Sequence, residues 1–213
     1  DGDGDGDGDG DGDGDGDGPN PPPKKPPVPP KDPLALDMDG DGVETIGLED
    51  GAYFDLDNNG FAEKTTWLSA DDAFVVLDRN EDGIINNGGE LFGTETLLEN
   101  GEFASNGFEA LADFDKNLDG QINTDDVVFD DLRLWQDKNQ DGITDEGELL
   151  TLAEVGVESI NLGFESSSYI DENGVEHRET STYSKEGVEG IASTLWFDSD
   201  RRYSVPTDIL LDG

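Results

Sequence analysis

No cysteine occurs among the 213 residues, so neither a disulfide framework nor a thiolate metal site can form. Cations are scarce as well: 12 Lys and Arg stand against 54 Asp and Glu, giving a net charge of −42 at pH 7. Phosphate recognition depends on clustered Lys and Arg, so nucleic acid is not expected as a partner, and an anionic membrane surface is disfavoured for the same reason. No hydrophobic run is long enough to span a bilayer, so membrane insertion is not expected either. The single histidine, His177, lies just past a turn and reads either as a general acid or as an ordinary strand residue. No Ser-His-Asp or zinc-ligand set suggests a protease that turns over. No signal peptide is legible, and the chain begins inside a repeat, as a fragment of a longer protein would.

What is abundant is Asp, Gly and Pro. Residues 1–18 alternate Asp and Gly, cannot bury apolar surface, and are expected to be a disordered, charge-stiffened tail, with weak cation binding as an alternative reading. Residues 19–32 are a Pro-rich linker ending at Asp32. Residues 33–213 suffice for a folded body with a modest core.

Inside that body the periodicities are mixed. Val43–Gly47, Ala52–Asp55 and Phe61–Trp67 read as short strands. Ser69–Leu77 reads as a capped helix, Asn106–Phe114 as another, Thr124–Trp135 as a segment that starts helical, and Glu146–Val155 as a helix stopped at Gly156. From Glu158 to Phe197 the pattern alternates around a DENG turn at Asp171–Gly174, predicting a hairpin and a third strand ending at Trp196. The expected class is α+β: short helices and EF-hand-like loops with a small antiparallel β-sheet, behind a disordered tail.

Five acidic loops of the DxDxDG type punctuate the body. In such a calcium loop, positions 1, 3 and 5 supply side-chain oxygens, Gly at 6 turns the chain, position 7 offers its carbonyl, and a carboxylate at 12 grips in bidentate fashion. The fifth loop is complete, with Asp137, Asn139, Asp141, the Ile143 carbonyl, Asp145 and Glu148. The fourth offers Asp115, Asn117, Asp119, the Gln121 carbonyl, Asn123 and Asp126, and places Ile122 where paired EF-hands form a short strand. Their close spacing makes them share one short helix, an arrangement that resembles a dockerin. The third has Asp78, Asn80 and Asp82, with its closing carboxylate one residue late at Glu90. The second (Asp55, Asp57, Asn59, Glu63) and the first (Asp37, Asp39, Asp41) lack a carboxylate at position 12 and read as half-sites or as plain turns. Calcium is the expected ligand. With so much negative charge, the body is expected to be loose without it and compact with it. Cysteine-free acidic composition suits a bacterial secreted protein that folds outside the cell.

The only Asp-Pro bond in the chain, Asp32-Pro33, lies just before the first loop. An Asp carboxylate can attack its own main-chain carbonyl through a five-membered anhydride, and proline departs as a secondary amine once protonated. Asp-Pro is otherwise an ordinary turn or linker junction.

The run from Asp32 to Thr45 (DPLALDMDGDGVET) resembles the start of the self-processing module of repeat-in-toxin proteins of the iron-regulated FrpC type. The likeness continues through AYFDLDNNGFAEKT, LDRNEDGIINNGGELFG, NGFEALADFDKNLDG and LRLWQDKNQDGITDEGELLTL. The resemblance implies calcium-dependent, single-turnover cleavage of Asp32-Pro33, with Asp32 as nucleophile and acyl donor and Pro33 as leaving group. It also implies ligation of the new Asp terminus to a lysine amine, on a neighbouring protein or on Lys24, Lys25 or Lys31. The family's nonapeptide repeats are absent from these residues. The competing expectation is a calcium-stiffened spacer or adhesion module that cuts nothing.

Overall fold

The computed structural model describes residues 31–207. The expectations for the tail, for linker residues 19–30 and for Lys24 and Lys25 lie outside the described residues.

The α+β expectation is not met: the body is built almost entirely of β-structure. Fourteen strands, numbered in chain order, and one short helix are found among the described residues. The principal sheet runs β7 (Gln121–Asn123), β10 (Val157–Asn161), β12 (Glu176–Lys185), β13 (Val188–Trp196), β1 (Leu34–Leu36), β6 (Ala73–Val76), β8 (Arg133–Trp135) and β9 (Leu149–Thr151), with β11 (Glu165–Ile170) also pairing β12. All these pairings are antiparallel. A second sheet joins β14 (Ser199–Pro206), β4 (Phe61–Thr65) and β3 (Tyr53–Phe54), and β2 (Thr45–Ile46) pairs β5 (Trp67–Leu68).

The expected helix over Ser69–Leu77 fails because its apolar run is buried on both faces. In β6, Ala73, Phe74, Val75 and Val76 are all at most 1 % exposed, because the strand lies between β1 and β8 with apolar layers above and below. A continuous apolar run cannot reveal its period; here the β-branched content and a central sheet position decide for strand. Thr124–Trp135 holds only a 3₁₀ turn at Val127–Asp130 before becoming β8, and Glu146–Val155 supplies β9, registered Leu149 to Trp135. The fourth and fifth loops therefore share no α-helix, and the dockerin-like arrangement is corrected along with the EF-hand one. Most loops here are connections between strands. Ile122 pairs with Ile160 of β10; it is the third and fifth loops that touch at position 8, where Ile85 N–H donates to Thr144 Oγ1 at 3.0 Å.

Other expectations hold. Helix α1 (Gly107–Ala112) starts at Asn106, whose Oδ1 accepts from Glu109 N at 2.9 Å while Glu109 Oε2 accepts from Ser105 N. The hairpin β11–β12 turns at Asp171–Gly174, and β13 ends at Trp196.

Alternation along the central strands divides the core. Leu34, Leu36 and Val75 face a layer containing Phe92, Phe108, Leu111, Ile122 and Phe129. Ala35, Phe74 and Val76 face an aromatic layer in which the Trp67 ring lies 5.0 Å from Phe74, 5.2 Å from Phe54 and 5.6 Å from Trp135. Residues 34–36, immediately after the Asp-Pro bond, are thus the fully buried central strand of the principal sheet.

Candidate functional site

The chain enters β1 through a clamp. Before the Asp-Pro bond, the Lys31 carbonyl accepts from Phe197 N at 2.9 Å, and the Lys31 ammonium pairs with Glu95. After it, the Pro33 carbonyl accepts from Leu195 N at 3.0 Å and Leu34 N donates to Phe92 O at 2.9 Å. Between them Asp32 is only 2 % exposed. Its Oδ1 accepts from Thr94 N at 2.8 Å and its Oδ2 from Gly107 N at 2.9 Å. The two donors come from separate segments: Thr94 follows the third loop, and Gly107 opens the helix that leads into the fourth.

Burial pushes the Asp32 carboxyl up from 3.8 to about 7; the bonds from Thr94 and Gly107 oppose the rise, and the charge of Glu179 adds to it. The main-chain oxygen of Asp32 lies against Gly93 so closely that a Cβ there would stand 1.8 Å from it. At position 93 only glycine admits this approach. A buried carboxyl held well above its ordinary range by desolvation, fixed beside its own peptide bond, has the chemistry for nucleophilic attack and proton delivery.

The five loops share one backbone. Positions 4 and 6 have positive φ in all of them: Gly40 and Gly42, Asn58 and Gly60, Glu81 and Gly83, Leu118 and Gly120, Gln140 and Gly142. In each, the position-1 carboxylate collects N–H groups of the following turn; Asp137, for example, accepts from Gln140 at 2.7 Å and Gly142 at 2.8 Å. Asp37, Asp55, Asp78 and Asp115 do the same toward Gly42, Gly60, Gly83 and Gly120. The loops differ in how they close. In the fifth, Glu148 accepts from Lys138 N and Asp145 N, and in the third Glu90 accepts from Arg79 N and Asn86 N, the same two loop positions despite the one-residue expansion. In the fourth, the shorter Asp126 reaches only Asn123 N; its Oδ1 is buried without a partner.

The first loop is closed by a residue the sequence pattern could not flag. Asp72, fully buried, accepts from Met38 N at 3.0 Å and Glu44 N at 2.9 Å, and its carboxylate gathers with those of Asp37 and Asp39. Asp41 is not part of that group. Asp71 and Glu44 form a second acidic group with Asp72. Burial and neighbouring acids raise Asp72 to about 7 and Glu44 to about 8, and Glu44 Oε2 has no partner. In the second loop Asp55, Asp57 and Glu63 converge, burial raises Asp55 and Glu63, and Arg201 of β14 pairs with Asp57, whose Oδ1 is left buried without a partner. Asn59 Oδ1 instead accepts from Phe61 N. Side-chain amides knit the remaining positions: Asn80 to Asp82, Asn117 and Asn123 to Asp119, Asn139 to Asp141 and Asp145. Gln121 N and Ile143 N bond Asp119 and Asp141. One tie to the core was also unforeseen: Trp67 Nε1 donates to Asp137 Oδ2 at 2.8 Å.

The carboxylate clusters of the first and second loops could hold a hard cation. They are oxygen-only, several carboxyls are held above their ordinary range by desolvation and like charge, and orphaned buried oxygens remain in three loops. His177 is 5 % exposed on β12, between Asp171 and Ser193, each at 3.4 Å, with burial lowering its pKa. The strand β13 separates it from β1, so it takes the strand-residue reading.

No helix among the described residues is long and apolar enough to cross a membrane. A family model described as SPM domain matches residues 34–198. The chain is 44 % identical over 176 residues to a protein of Neisseria meningitidis serogroup C called iron-regulated protein FrpA, an alignment covering 81 % of this chain and 16 % of that protein. The chain thus spans about a sixth of this relative's length.

Proposed function

The chain belongs to the SPM domain family, and on that premise we propose that it is a calcium-dependent module that cleaves its own Asp32-Pro33 bond once. The observation that carries the reading is the Asp32 carboxyl, sealed at the entrance of the central strand and gripped by Thr94 N and Gly107 N. A linker Asp would be solvated and free; this one is immobilised and electrostatically poised.

Calcium would be held by Asp37, Asp39 and Asp72 in the first loop, by Asp55, Asp57 and Glu63 in the second, by Asp78, Asn80, Asp82 and Glu90 in the third, and in the fourth and fifth by the two full ligand sets already named. Its contribution is charge neutralisation that becomes folding energy. The residues do the rest. Thr94 N and Gly107 N orient the carboxyl group, and an oxygen of Asp32 adds to the Asp32 carbonyl carbon. The C–N bond then breaks toward Pro33, and the nitrogen takes up a proton. Water opens the resulting anhydride to free Asp32. A lysine amine arriving first would give an Asp-Lys isopeptide bond instead. In a parent of the FrpA kind, the module would act outside the bacterial cell.

The test is a gel. Chain prepared in chelator and then given millimolar Ca²⁺ should release a fragment beginning at Pro33, whereas Asp32→Ala should bind calcium and stay whole. A wild-type chain that orders with calcium yet remains intact for days would leave only the stiffened-spacer reading.

A further inference from the structure

Beside the Asp32-Pro33 bond lies a small gap whose one hydroxyl has no assigned role. Thr94 lines it together with Lys31, Asp32, Pro33, Gly93 and Glu95. The Thr94 N–H is bonded to Asp32 Oδ1 at 2.8 Å, which fixes the residue against the carboxyl. Its Oγ1 is buried and makes no well-directed hydrogen bond, though it stands near enough to the Asp32 carboxyl to favour the charged form. A buried hydroxyl with no well-directed bond is costly, and one placed beside a reacting carboxyl has an evident use.

We propose that the Thr94 hydroxyl relays a proton from the Asp32 carboxyl to the Pro33 nitrogen. The inference rests on the cleavage reading above. An oxygen of the neutral carboxyl bonds to the Asp32 carbonyl carbon, and the carboxyl proton passes to Thr94 Oγ1. The hydroxyl's own proton passes to the Pro33 nitrogen, which takes the electron pair of the breaking C–N bond. The products are the cyclic anhydride at Asp32, a secondary amine at Pro33 and an unchanged Thr94 hydroxyl.

Competing proton sources are poorly placed. The gap measures about 10 Å³, at the lower limit for one water. The Lys31 ammonium is engaged by Glu95, and Glu179, the other charged group felt by Asp32, accepts from Thr194 Oγ1 and Trp196 Nε1. With Asp32 held near 7, neutral carboxyl is present at neutral pH to start the step.

The experiment compares full-length wild type, Thr94→Val, Thr94→Ala and Thr94→Ser in saturating Ca²⁺, following the Pro33-starting fragment from pH 5 to 9, with circular dichroism to verify calcium-induced folding. Thr94→Val should fold and cleave about 100-fold more slowly, the size of a general-acid contribution. Thr94→Ala covers the case in which Val does not fit, and Thr94→Ser should restore the rate to within a few-fold. The wild-type rate should level off below about pH 6, once the Asp32 carboxyl is neutral, and fall as pH rises through its pKa. The Val and Ala variants should keep accelerating with acidity, their proton coming from solvent. Folded Val and Ala variants that cleave within threefold of wild type, with its pH profile, would overturn the relay. Loss of wild-type cleavage, or cutting by Asp32→Ala, would instead overturn the cleavage reading and take the relay with it.

Discussion

The most informative single-atom perturbation is Gly93→Ala. The added Cβ would stand 1.8 Å from the Asp32 main-chain oxygen, 2.9 Å from its carbonyl carbon and 3.5 Å from Oδ1. Restoring van der Waals contact requires the two segments to part by roughly 1.5 Å or more. Neither yields easily. Asp32 lies between the Lys31 carbonyl, bonded to Phe197, and Leu34 N, bonded to Phe92, while Gly93 connects Phe92 to Thr94. The movement therefore falls on the bond from Thr94 N to Asp32 Oδ1. An overpacked backbone contact costs about 1–3 kcal/mol, and a misplacement of about 1 Å at a reacting pair costs about 10²-fold in rate. We expect Gly93→Ala to bind calcium through its loops yet release the Pro33 fragment at least about 100-fold more slowly, measured by densitometry and calcium calorimetry. Gly163→Ala is the control: its Cβ enters open space, and its rate should match wild type. A Gly93→Ala chain that cuts at the wild-type rate would refute the claim that this contact fixes the reacting geometry.

Three further outcomes follow from the loops and from Asp32. Asp72→Asn, which removes the carboxylate closing the first loop, should lower calorimetric calcium stoichiometry by one while sparing the fifth loop; an unchanged stoichiometry would remove Asp72 from the ligand set. Asp126→Glu should let the fourth loop close on Lys116 N as Glu148 closes on Lys138 N, raising affinity by about 1 kcal/mol, or about fivefold; weaker binding would count against an unmet reach. Because Asp32 binds its proton more tightly folded than unfolded, its contribution to stability is complete below about pH 4 and is lost as pH rises through about 7, at most about 4 kcal/mol. In urea melts of uncleaved chains at fixed calcium, wild type should therefore lose stability relative to Asp32→Asn between pH 5 and 8. A pH-independent difference would mean that Asp32 titrates normally.

Much of the site was legible because it is local. The Asp-x-Asp-x-Asp-Gly spacing determines which N–H groups can turn back onto the first carboxylate, and all five loops wind alike, with left-handed residues at positions 4 and 6. Glu90 was readable as a late closer, and it occupies the same bonds as Glu148. Asn106 as a helix cap and the turn at Asp171–Gly174 are likewise short-range signals. Ser69–Leu77 misled because a run buried on both sides carries no period, so its apolar residues fit a helix or a central strand equally well.

The sequence by itself determined the charge, the winding of the acidic loops and the presence of one Asp-Pro bond, since each depends on neighbours within a dozen residues. Tertiary structure alone decided that Asp72 closes the first loop, that Trp67 anchors Asp137, and that Thr94, Gly93 and Gly107 surround Asp32. Those partners lie 28 to 75 residues apart in the chain. Only the folded sheet, with the loops and helix packed on it, brings them within bonding distance.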